Sequence, residues 1–104
     1  MANSIAALEQ SLAYNTDDVE ALRLIGVAYG IRGFQLQQNN NLDASRSSHL
    51  KAKDSFEQAA RLSPNNVPVL YNLEMAYTQL GDAAKASETR QRWMALDPDY
   101  DPSK

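Results

Sequence analysis

His49 is the chain's one imidazole, and the acids nearest to it in sequence are Asp43, Asp54 and Glu57. Acid–base or metal chemistry at His49 would need a nucleophile or a second ligand one helical turn away, and no such residue accompanies it. A solvated side chain is therefore expected at His49. Asp97-x-Asp99-x-Asp101 has the alternating carboxylates that open a calcium loop, but Pro102 stands where that loop needs glycine and no distal Glu follows. An acidic tail is the expectation there. Gly26, Gly30 and Gly33 recur at helical spacing. A phosphate cradle would need a preceding strand and a membrane-helix contact an unbroken apolar run, so the three glycines are read as points of close helix packing. With no cysteine in the sequence, thiolate chemistry and disulfides are excluded. These residues predict no enzyme, no metal and no cofactor.

The elements that would position these residues are helical. Apolar residues recur at turn spacing, as in Ile5, Leu8 and Leu12 and again in Leu22, Ile25 and Tyr29. A chain of 104 residues with 43% hydrophobic and 22% charged residues, four Gly and four Pro has the make-up of one folded helical domain. Its net charge is −3 and its basic residues form no run, which argues against a nucleic-acid partner, since phosphate binding needs a concentrated positive field. The most apolar stretch, 24–36, is interrupted by Arg32 and is shorter than the roughly 20 residues of a membrane span, so no membrane insertion is expected. Residues 1–4 lack the charged and apolar runs of a leader, and cytoplasm and periplasm both remain open.

Five helices are predicted. The first covers about Ser4 to Tyr14, capped by Asn3 or Ser4. Thr16-Asp17-Asp18 opens the second, with Glu20 reaching back to the cap, and Val19 to at least Arg32 is helical. Asn39-Asn40-Asn41 is the clearest turn, because asparagine tolerates left-handed backbone. A third helix begins between Asp43 and Ser48 and ends near Leu62, before Pro64. Asn66-Val67-Pro68 starts a fourth that stops at Gly81, and Asp82 caps a fifth that Pro98 ends.

The most specific signal is a period. Pro64 and Pro98 lie 34 residues apart, each after an apolar residue in Leu62-Ser63-Pro64 and Leu96-Asp97-Pro98. The later copy reads Leu70-x-x-Leu73-x-x-x-Tyr77, then Gly81-Asp82, then Ala86; the earlier reads Leu22-x-x-Ile25-Gly26-x-x-Tyr29, then Ala52-x-x-x-Phe56-x-x-Ala59. This resembles the tetratricopeptide repeat, with its large residue, Leu-Gly, Tyr, Ala, aromatic and Pro across a helix-turn-helix. The resemblance implies an all-α solenoid of about five helices in one domain. Residues 1–18 would be the second helix of a partial repeat, 19–66 and 67–100 full repeats, and 101–104 a tail.

Tyr29 and Ala52 are 23 steps apart, whereas Tyr77 and Ala86 are 9 apart, so the first full repeat carries a 14-residue insertion. At about 3.6 residues per turn, 14 residues add two turns to each helix and keep the pairing face. Phe34, Leu36, Leu42 and Leu50 would then continue the faces of Tyr29 and Phe56; a polar loop is the alternative. The second copy departs from the repeat pattern at Glu74, Arg90 and Trp93, which correspond to Gly26, Phe56 and Ala59. Trp93 either covers the open end of the core or anchors a homodimer.

The resemblance also implies a function: a non-catalytic scaffold that binds a peptide or helix of a partner protein in the groove lined by the first helix of each repeat. On this sequence the groove positions are Arg23, Val27, Gly30 and Ile31, and, 48 residues on, Tyr71, Met75, Thr78 and Gln79. Only Arg23 among them is basic, so the basic clamp by which some family members hold a terminal carboxylate is not supported. Self-association, and an accessory segment of a larger enzyme or secretion complex, are the alternatives.

Overall fold

A computed structural model describes residues 18–103, and among these the chain is all-α: α1 (Val19–Gln38), α2 (Leu42–Leu62), α3 (Val67–Gln79) and α4 (Ala83–Leu96). These are four of the five expected helices; the other, over about Ser4 to Tyr14, and most of the partial repeat assigned to 1–18 lie outside the described residues.

Three of the four helices start where a side-chain oxygen meets their free amides; α2 starts after Asn41 without such a bond. The Ala21 amide donates to Asp18 Oδ1 at 2.9 Å, that of Val69 to Asn66 Oδ1 at 3.2 Å and that of Lys85 to Asp82 Oδ1 at 3.2 Å. Pro68 occupies the first turn of α3, where no amide hydrogen is needed. Glu20 does not reach back to the cap; it turns to Arg23, whose Nη2 lies 2.6 Å from Oε1, a stronger partner than a backbone amide. α2 starts at Leu42, just before the expected window, and stops at Leu62, two residues ahead of Pro64.

Both connections between paired helices are one motif. After α1, Asn41 N–H donates to Leu36 O at 2.9 Å and Asn40 N–H to Gln37 O at 3.1 Å. After α3, Asp82 N–H donates to Tyr77 O at 3.0 Å and Gly81 N–H to Thr78 O at 3.1 Å. In each, one residue adopts left-handed backbone, Asn40 at φ 60° and Gly81 at φ 79°, so each helix ends in the same crossed pair of bonds. α1 and α2 have 20 and 21 residues where α3 and α4 have 13 and 14. Seven more on each helix is two turns, and the insertion is helical on both arms.

Contacts run antiparallel from each helix to the next. Gly26 lies under the Phe56 ring and Gly33 under the His49 ring, while Glu57 meets Tyr77 and Trp93 meets Glu74. The core joins Ala52 and Phe56 of α2 to Leu73, Ala76 and Tyr77 of α3 and Ala86 of α4. A second cluster joins Leu22, Ala59 and Val69. The Tyr77 hydroxyl donates to Glu57 Oε2 at 2.6 Å, and burial followed by this carboxylate pushes its pKa well above the ordinary tyrosine value.

The tip of the long hairpin is packed differently from expectation. Phe34, Leu42 and Leu50 are exposed, and the space between the arms is filled by Gly33, Ser45, Ser48 and His49. Ser45 Oγ–H donates to Gly33 O at 2.7 Å. With no side chain on Gly33 and small ones on α2, the helices approach too closely to admit leucines between them. His49 is thus 5% exposed, not solvated, because it sits on the inward face of α2 in line with Ser45, Ala52 and Phe56. Its Nε2 is buried with no hydrogen-bond partner, and burial lowers the imidazole pKa. Of the three glycines, Gly26 and Gly33 are close-packed; Gly30 has no side chain within reach and opens onto a groove.

Candidate functional site

The larger of two concavities described here, of about 480 Å³, lies between α1 and α3 and is floored by the edges of Phe56 and His49 from α2. It falls within the range of about 300–1,000 Å³ typical of ligand sites. Val27 and Ile31 of α1 and Met75 and Gln79 of α3, positions that the repeat resemblance assigns to a groove, line it, and Gly30 lies between. Ile31 is 45% and Met75 48% exposed, so two large apolar side chains face solvent across one cleft.

The other three predicted groove residues are placed elsewhere. Arg23 is held at the groove's end by Glu20 and by Asn72, with Nη1 donating to Asn72 Oδ1 at 3.4 Å. The pairing with Glu20 raises the arginine pKa and lowers that of the carboxyl. Tyr71 faces away toward Trp93 and Tyr100, ring centres 5.8 and 5.7 Å away, and Trp93 and Tyr100 are 6.0 Å apart, all edge to face. Thr78 bonds back to Glu74 O at 2.9 Å and borders a second cleft, of about 300 Å³, between α3 and α4.

Trp93 is 8% exposed, with Nε1–H donating to Glu74 Oε1 at 2.8 Å. Two of the three departures from the repeat pattern therefore bond to each other. Arg90, the third, lines the second cleft with Glu74. The tail carboxylates close turns: Asp97 accepts from the Asp99 amide at 3.2 Å, and Asp101 from the Ser103 amide and hydroxyl at 2.9 and 2.6 Å.

Phe34, Gln35 and Gln38 line the groove but were missed. Counting on from Val27 and Ile31 by helical turns would have reached them. The pairing of positions 48 residues apart hid them, because α3 ends before any counterpart.

Among the described residues no helix is long and apolar enough to cross a membrane. No protein-family model matches the chain, and no curated protein matches its sequence.

Proposed function

We propose that the chain is a non-catalytic interaction module of tetratricopeptide type, in which stacked helical hairpins present the groove between α1 and α3 to a peptide or helix of a partner protein. The observation that carries this reading is the groove itself, with Ile31 and Met75 half exposed on opposite walls. The repeated turn chemistry at Asn40 and Gly81 and the Gly26 contact with Phe56 support the repeat architecture. A binding role without chemistry accords with how the titratable groups are used. Tyr77 is tied to Glu57, Glu20 to Arg23 and Asp101 to Ser103, each in a separate place.

Self-association through Trp93 is the weaker alternative, because the indole is already enclosed by Tyr71, Tyr100 and Glu74. An accessory role within a larger enzyme or secretion complex would use the same groove.

The test is the double variant Ile31→Glu with Met75→Glu. Both sites are on the surface, so the variant keeps its helical circular dichroism and its melting transition. Partner capture from the native lysate should be lost, since two carboxylates would be desolvated against an apolar partner surface. Undiminished capture by the folded variant would sink the reading.

A further inference from the structure

The groove is longer than α3. Past Ile31, α1 continues for two turns that have no counterpart in the second hairpin, which turns away after Gln79. Phe34 stands on this overhang, 52% exposed, in helical register with Val27 and Ile31. None of the cleft's described lining residues is Asp, Glu, Lys or Arg, in a chain where 22% of residues are charged, and the Arg23 at its end is already paired with Glu20. The smaller cleft between α3 and α4 has both Glu74 and Arg90 on its wall.

We propose that the groove takes an extended, uncharged segment of a partner protein, and that the α1 overhang at Phe34, Gln35 and Gln38 is the principal contact. This rests on the groove being the binding site. A charged segment would lose its hydration in the cleft, where no described lining residue is Asp, Glu, Lys or Arg and the neighbouring Arg23 is already paired with Glu20. Extension follows from the polar groups present. Gln35 and Gln38 on one wall and Gln79 on the other each offer a donor and an acceptor. A helix has already paired its main-chain groups, whereas an extended chain presents unpaired N–H and C=O on both sides, and amide side chains match them. Phe34 supplies the apolar anchor, an aromatic ring half in water and ready to be covered.

The experiment displays random peptides on phage and pans them on the full chain. The groove lining on α1 runs from Gly26 to Gln38, roughly 18 Å along the helix, a span that an extended peptide covers in about six residues. The expected result is enrichment of uncharged, apolar sequences. Their binding falls about tenfold in Phe34→Ala and more mildly in Gln38→Ala, with the helical signal unchanged. Enrichment of acidic or basic peptides overturns the proposal. So does binding that ignores Phe34→Ala and Gln38→Ala yet is abolished by Met75→Glu, and in that case the groove survives as the site. Peptides that bind all variants equally, or no enrichment at all, remove the groove reading too. Competition by a synthetic peptide of residues 1–17, or a dimer in sedimentation that the selected peptide dissociates, would make this chain its own occupant and overturn the assignment to a partner.

Discussion

The hairpins α1/α2 and α3/α4 close with the same crossed bonds around a left-handed residue, yet their corresponding interior positions are filled in opposite ways. In the first, bare Gly26 receives the Phe56 ring, and a methyl group added at Gly26 would stand 2.5 Å from a ring carbon. In the second, Glu74 and Arg90 occupy those places and border a cleft, and the gap toward the helix ends is sealed by Trp93 bonded to Glu74. The first hairpin is packed against α3, so its interior must exclude water; the second has no described helix beyond α4, and charged groups there stay hydrated. One backbone corner thus serves a closely packed seam and one that borders a cleft.

The sharpest way to break this comparison is to truncate equivalent residues. Phe56→Ala should destabilise the chain by about 3–5 kcal/mol, since the ring is 4% exposed and joins three helices. Arg90→Ala, at the matching place on exposed α4 surface, should shift stability by no more than about 0.5 kcal/mol. Urea titrations followed by circular dichroism at constant slope would read both. Equal losses would mean that the two seams are packed alike.

How much of this was legible in the sequence depends on which force fixed each part. Caps and turns were readable because they depend on single local residues: Asp18, Asn66 and Asp82 cap helices, and Asn40 and Gly81 take left-handed backbone. The even division of the 14 inserted residues followed from helical phase alone. The interior of the tip was not readable by hydrophobicity. Phe34, Leu42 and Leu50 are the apolar residues there, but distance between backbones decides the filling, and the close approach at Gly33 favours Ser45 and His49. The groove was half read, because pairing positions across repeats assumes equal helices and α3 stops short.

The tip itself offers the next test. Gly33→Ala would bring a methyl within 2.8 Å of the His49 ring and should cost about 1–3 kcal/mol by overpacking, whereas Gly30→Ala meets no atom within 4 Å and should stabilise α1 slightly through better helix propensity. Stability should also depend on pH through His49. Burial holds its folded pKa below the ordinary 6.5. The unfolded chain therefore binds a proton more readily, and the stability from burying a neutral ring is complete above 6.5 and lost as pH falls below it toward the folded value. Melting temperatures of wild type and His49→Phe, compared from pH 7 to pH 5, should diverge in this direction; parallel curves would mean that the imidazole is hydrated in the fold.

The smallest effects should come from the two turns, where the comparison is between residues doing the same backbone task. Gly81 is at φ 79° with no atom near its missing side chain, so Gly81→Ala carries only conformational strain, about 1 kcal/mol. Asn40 already bears a side chain at φ 60° and tolerates this region through its own polar group, so Asn40→Ala should cost less than Gly81→Ala. Asn40→Gly removes the strain but leaves the unfolded chain freer, and these opposing terms should leave a net gain below about 1 kcal/mol. Urea midpoints ordered Asn40→Gly, wild type, Asn40→Ala, Gly81→Ala from most to least stable would establish that the corners are energetically alike and that the hairpins differ through their seams. A loss at Asn40→Gly larger than at Gly81→Ala would show that the asparagine side chain holds the long hairpin's tip together in a way the shorter hairpin does not need.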